Sequence, residues 1–102
     1  HYPARMDHVW NARADGRTVL KKGPRRSLAK LYFDTIVFDG EQLRHLVALW
    51  GADHVVVGTD YPYDMGWYDP RGFLDGAKFL KDADRAKILG LNAAKLLKLR
   101  RR

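Results

Sequence analysis

Residues 31–62 read LYFDTIVFDGEQLRHLVALWGADHVVVGTDYP. The first part, Leu31 to Phe38, is rich in aromatic and β-branched side chains and is expected to form a strand. Asp39 follows as a helix N-cap, with Gln42 three residues on to complete a capping box. Leu43, Leu46, Val47 and Trp50 recur at helical spacing and make one apolar stripe, which Gly51 ends. His54-Val55-Val56-Val57-Gly58 is the second strand. Its apolar residues are continuous rather than alternating, so both faces should be covered. A short helix between two such strands is a β-α-β crossover, and crossovers build parallel sheets.

Working outward, the loop Thr59 to Asp69 holds three Tyr, one Trp, one Pro and two further Asp beyond Asp60. Asp69 can cap a helix with Pro70 at its first position and Phe73, Leu74, Ala77 and Leu80 facing the sheet. Asp82 or Asp84 starts another helix through Leu89, which Gly90 stops. Asn92 caps a last one containing Ala93, Leu96, Leu97 and Arg100. Upstream, residues 1–24 show no sustained period, and Asp15-Gly16 and Gly23-Pro24 are turn signals. A loop-rich opening with one irregular helical turn is expected there, then a short helix capped by Ser27 and running through Lys30. The chain thus divides into a loop-rich 1–30, a β-α-β unit at 31–58, and a loop with closing helices at 59–102. Two parallel strands cannot bury a sheet on both faces, so this is the pattern of two βα units of something larger.

Composition removes several classes of function. The 102 residues are 46% hydrophobic, as in a globular chain, and include no cysteine. Disulfide frameworks and thiolate metal sites are therefore out. Apolar runs are far too short to span a bilayer, and no signal segment opens the chain; a cytoplasmic protein with no membrane partner is expected. The sequence starts at His1 rather than Met, as in a trimmed chain or a piece of a longer protein. The net charge of +7 is uneven: residues 1–31 hold eight Lys/Arg against two acids, residues 32–94 six against ten, and residues 95–102 five against none. Solvated basic ends account for this more simply than a nucleic-acid surface does.

The chemistry should lie in the acidic middle. Asp60 immediately follows a buried apolar strand, and in parallel α/β folds the strand C-terminal ends host the active site because the following loops converge there. A half-desolvated carboxylate at that edge needs a cation, a proton or several donors. The alternative is an Asp that fixes the turn before Pro62.

Leu31 to Asp39 followed by Val55-Val56-Val57-Gly58-Thr59-Asp60-Tyr61-Pro62-Tyr63 resembles the amidohydrolase-related family that contains aminocarboxymuconate-semialdehyde decarboxylase. Gly90-Leu91-Asn92-Ala93-Ala94-Lys95-Leu96-Leu97 resembles that family's closing helix. Arg5-Met6-Asp7-His8 resembles its Gly-Arg-x-x-His segment, with Ala4 in place of the glycine. The resemblance implies a metal-dependent (β/α)8 TIM barrel of which this chain carries strands seven and eight. It implies that Asp60 is the catalytic carboxylate and metal ligand, for a divalent ion that is usually zinc. It also implies that Arg5 is a substrate-binding residue gripping a small carboxylated substrate from a neighbouring subunit, and hence a homodimer. A guanidinium suits this because its fork pairs bidentately with a carboxylate. The bland reading of Arg5 is a surface pair with Asp7.

The family's remaining ligands begin with a His-x-His pair, and none of His1, His8, His45 and His54 has that spacing. His45 on the crossover helix and His54 at the base of its strand read as surface residues. One carboxylate cannot hold zinc, so the isolated chain should be inactive. Asp34 reads as structural. Asp64 and Trp67 could line a pocket mouth or form a packed lid. Asn92 reads as a helix cap. The expectation is the C-terminal part of a non-oxidative decarboxylase of a small unsaturated or aromatic carboxylic acid. Hydrolysis of an ester, lactone or amide on the same metal centre is the alternative. A basic nucleic-acid-binding module or a truncated remnant is the rival of another class.

Overall fold

The computed structural model describes residues 2–13 and 23–99. Two compact units divide the chain, His1–Leu31 and Tyr32–Arg102, and each is described by itself.

In the first unit, α1 spans Tyr2–Ala12 and α2 spans Pro24–Leu28. Over residues 2–12 an eleven-residue helix replaces the loop-rich opening expected there; the turn expected at Asp15-Gly16 lies outside the described residues. Pro3 sits in the first turn, where a missing N–H costs nothing, and Ala4, Arg5 and Met6 are strong helix formers. No stripe announced the helix because Met6 and Val9 both point to solvent. The short helix begins at Pro24 rather than at Ser27, since proline's fixed φ favours the first helical position. Asp7 ties the two helices together. Its Oδ1 accepts from the Arg25 backbone N–H at 3.1 Å, and its Oδ2 accepts from Arg25 Nε at 2.9 Å.

In the second unit, β1 (Phe33–Asp34) pairs in parallel with β2 (Val55–Val56), Phe33 opposite Val55 and Asp34 opposite Val56. Between them runs α3 (Gly40–Trp50), the expected crossover. Asp39 caps it, its side chain accepting from the Gln42 N–H at 3.3 Å. Gly51 ends it at φ +86°, ψ 150°, a conformation that side chains disfavour. Both strands are shorter than their apolar runs. Residues Ala52–His54 form a 3-10 turn, and beyond Asp34 the chain turns at Thr35 to Val37.

After the loop, α4 (Pro70–Gly76) starts as expected, with Asp69 accepting from the Gly72 N–H at 2.9 Å. It stops sooner than Leu80. The closing segment differs more. Helix α5 (Asp82–Ala86), a π-helical turn at Lys87–Leu91 and α6 (Asn92–Leu96) follow one another without a break. Gly90 does not stop the helix, and Asn92 is not a cap. Its side chain instead donates to Ala52 O at 2.6 Å and Val55 O at 2.8 Å. The core is Leu43, Ala52, Val55, Leu74, Ala77, Leu80 and Ile88, with Val37, Leu46, Val47, Val57 and Phe73 packed against it.

Candidate metal-binding edge at the end of the second strand

The chain leaves β2 through Val57, Gly58 and Thr59 and reaches Asp60 at the C-terminal end of the strand, the end at which β1 also finishes. Asp60 is in the left-handed region at φ +58°. Asp tolerates that region better than most L-residues because its short polar side chain meets little. The turn around it is hydrogen-bonded on both sides. Thr59 Oγ1 accepts from the Tyr61 N–H at 3.2 Å, Thr59 O from the Trp67 N–H at 2.8 Å, and Asp60 O from the Tyr63 N–H at 2.9 Å. Its backbone is therefore held, while among the described residues no hydrogen bond or ion pair engages its carboxylate. The expectation of a half-desolvated group is not met: Asp60 is exposed. Two strands form no enclosed mouth, so nothing among the described residues shields it.

Asp34 lies across from this exit. Its Oδ1 accepts from the Ile36 N–H at 3.0 Å, a local turn bond that agrees with a structural role. Gly58 passes so close that a β-carbon there would stand 3.0–3.1 Å from the Asp34 side chain. Thr35 is only 3% exposed, and its hydroxyl brackets Gly58, accepting from its N–H at 3.3 Å and donating to its carbonyl at 3.5 Å. Sequence reasoning passed over Thr35, since a Thr inside a β-branched run looks like any strand former until its register is known.

The loop that follows displays Tyr61, Tyr63, Met65 and Tyr68 to solvent. Trp67 instead packs: its ring lies 5.5 Å from Phe38 and 5.2 Å from Phe73, and its Nε1 donates to Asp69 O at 3.0 Å. Of the two readings for Trp67, the packed lid fits. Asp64 is exposed.

Arg5 is exposed on α1, in the unit that does not contain Asp60. Its bland reading as a partner of Asp7 does not hold, because Arg25 occupies that carboxylate. His8 and His45 are exposed, and His54 stacks on Tyr32 at 4.8 Å between ring centres.

Among the described residues no three His, Cys, Asp or Glu side chains are grouped to hold a metal ion. A catalytic zinc needs three protein ligands. Among the described residues these donors do not make such a site, and a lone carboxylate like that of Asp60 supplies one ligand at most. A cavity of about 460 Å³ opens near the other end of β2, beside Tyr32, Asp53, Lys87 and Asn92. Lys87 Nζ sits 2.8 Å from Asp53 Oδ1 there. The hydrogen bond and charge of Lys87 hold the Asp53 carboxyl below its ordinary 3.8, and Asp53 in turn raises Lys87 above 10.5. A neutralised pair at the base of the strands is a structural feature, so cavity size does not locate the chemistry. No helix among the described residues is long and apolar enough to cross a membrane.

Comparison with known proteins agrees with the sequence resemblance. The chain is 35% identical over 96 residues to a Dictyostelium discoideum protein named 2-amino-3-carboxymuconate-6-semialdehyde decarboxylase, covering 93% of this chain and 27% of that one. It is 33% identical over 96 residues to a Caenorhabditis elegans protein of the same name, covering 91% and 23%. The chain therefore spans about a quarter of the length of these curated relatives. The family model described as amidohydrolase matches residues 1–99, and the chain belongs to that amidohydrolase family, alongside the decarboxylase-like members.

Proposed function

We propose that this chain supplies strands seven and eight of a metal-dependent TIM barrel, and that Asp60 is the carboxylate ligand of its divalent ion, zinc by family resemblance. Family membership implies the barrel, and the parallel β1–α3–β2 unit is compatible with two of its repeats. The observation that carries the reading of Asp60 is its place: a carboxylate without a hydrogen-bond or ion-pair partner among the described residues, on a hydrogen-bonded left-handed turn where a parallel strand ends. In such barrels that edge is where the chemistry gathers.

The complete enzyme is read as a non-oxidative decarboxylase of a small unsaturated or aromatic carboxylic acid, because both relatives carry a decarboxylase name. An ion bound at this edge would supply Lewis acidity and an activated water near neutral pH. Asp60 would hold the ion and accept a proton at its second oxygen. Arg5 would grip the substrate carboxylate with two parallel N–H donors, from a neighbouring subunit of a homodimer. The test is an assay of the complete enzyme for CO2 release from small unsaturated and aromatic carboxylic acids, before and after dialysis against a chelator. Release that disappears on chelation and returns with Zn2+ supports the reading. Cleavage of esters, lactones or amides without CO2 release would replace the decarboxylase with a hydrolase on the same fold.

A further inference from the structure

The ladder between β1 and β2 ends at Asp34 and Val56, two residues short of Gly58 and four short of Asp60. Past that point the hold passes to a side chain. The Thr35 hydroxyl both accepts from the Gly58 N–H and donates to the Gly58 carbonyl, at 3.3 and 3.5 Å, from a position 3% exposed. The side chain of Asp34 meanwhile crowds Gly58, where a β-carbon would stand only 3.0–3.1 Å from it. Asp34, at the end of β1, and Thr35, just past it, thus meet Gly58, two residues beyond β2, from two directions. Beyond it the chain enters the bonded turn that sets Asp60 at φ +58°. A hydroxyl is needed at 35 for this: valine has the same shape but can neither accept from nor donate to the peptide groups of Gly58.

We infer that Thr35 is a positioning residue for Asp60, its hydroxyl fixing the exit of the second strand so that the carboxylate meets the ion in one pose; this rests on the reading of Asp60 as a metal ligand. Groups that orient a ligand without touching the ion typically change metal affinity by about 10- to 100-fold when removed.

The experiment strips metal from the complete enzyme and titrates it with Co2+, followed by the visible absorption of the bound ion. Amide hydrogen exchange at Gly58 is measured in parallel on the metal-free protein. Thr35→Val and Thr35→Ala should each weaken Co2+ binding about tenfold and speed exchange at Gly58. Thr35→Ser, which keeps the hydroxyl, should restore both. The Ala and Ser variants carry the comparison if the Val variant does not fold. Unchanged Co2+ affinity in the Val and Ala variants, alongside a large loss in Asp60→Asn, would overturn the role of Thr35 alone. Unchanged affinity in Asp60→Asn would overturn the ligand reading itself, whatever the Thr35 variants do.

Discussion

Asn92 on the closing helix is bonded to Val55 on the second strand: its buried side-chain amide donates to the Val55 carbonyl at 2.8 Å and to that of Ala52 at 2.6 Å. A π-helical turn, Lys87–Leu91, lies just before Asn92, and the carbonyls that Asn92 reaches belong to the 3-10 turn Ala52–His54 and the strand that follows. One amide therefore anchors α6 to the strand that leads to Asp60.

Removing that amide leaves two carbonyls without their donor. Asn92→Ala should lower stability by about 2 kcal/mol or more, given about 1–3 kcal/mol for a buried polar group left unpaired. Asn92→Asp should be at least as damaging, since a carboxylate cannot donate. Urea unfolding of each variant checks this.

Gly58 and Asp34 should be energetically coupled. A β-carbon at 58 would press on the Asp34 side chain at 3.0–3.1 Å, so Gly58→Ala should cost about 1–3 kcal/mol by overpacking. Combining it with Asp34→Gly should recover part of that loss. Purely additive effects in the double-mutant cycle would show that the two do not meet.

The pair Asp53–Lys87 should leave a mark on the pH dependence of stability. The folded state holds the Asp53 carboxyl below its ordinary 3.8, so the benefit is present above that value and is lost as pH falls through the lower, folded-state value. Lys87 is raised above 10.5, so its benefit is present below that value and is lost as pH climbs through the higher one. Both groups are solvent-accessible, and the effect should be small and weakened by salt. Melting temperatures of the wild type and Asp53→Asn, compared across pH at low and high salt, should differ at neutral pH and converge towards both extremes.

Arg5 acts, on the proposed reading, only on the substrate. Arg5→Lys in the complete enzyme should raise KM about tenfold or more while leaving metal content unchanged, because a single ammonium loses the bidentate fork. Steady-state kinetics with metal analysis on the same sample checks both halves.

What could be read from the sequence follows how local each signal is. The cap at Asp39, the stripe from Leu43 to Trp50 and the stop at Gly51 are set within a few residues, and α3 runs between those limits. The parallel pairing was legible because a helix between two apolar runs permits little else. Strand lengths were not, since they depend on which peptide groups find a partner across the ladder, and here Thr35 ends it with a side chain. Gly90 misled because a glycine with open space around it can sit inside a helix that tertiary bonds at Asn92 hold together. At the candidate site, the position of Asp60 at a strand end was legible from Gly58 to Pro62. Its exposure was not, because shielding is a property of the neighbours that surround an edge and not of the edge itself.

The most direct test of the account is metal analysis of the complete enzyme carrying Asp60→Asn, with turnover measured on the same sample. Asn keeps the size of the side chain and tolerates the left-handed backbone at this position, so the substitution reports on the charge. Metal content and turnover should fall together. A variant that keeps its full complement of metal and its full rate would contradict the assignment of this carboxylate to the ion.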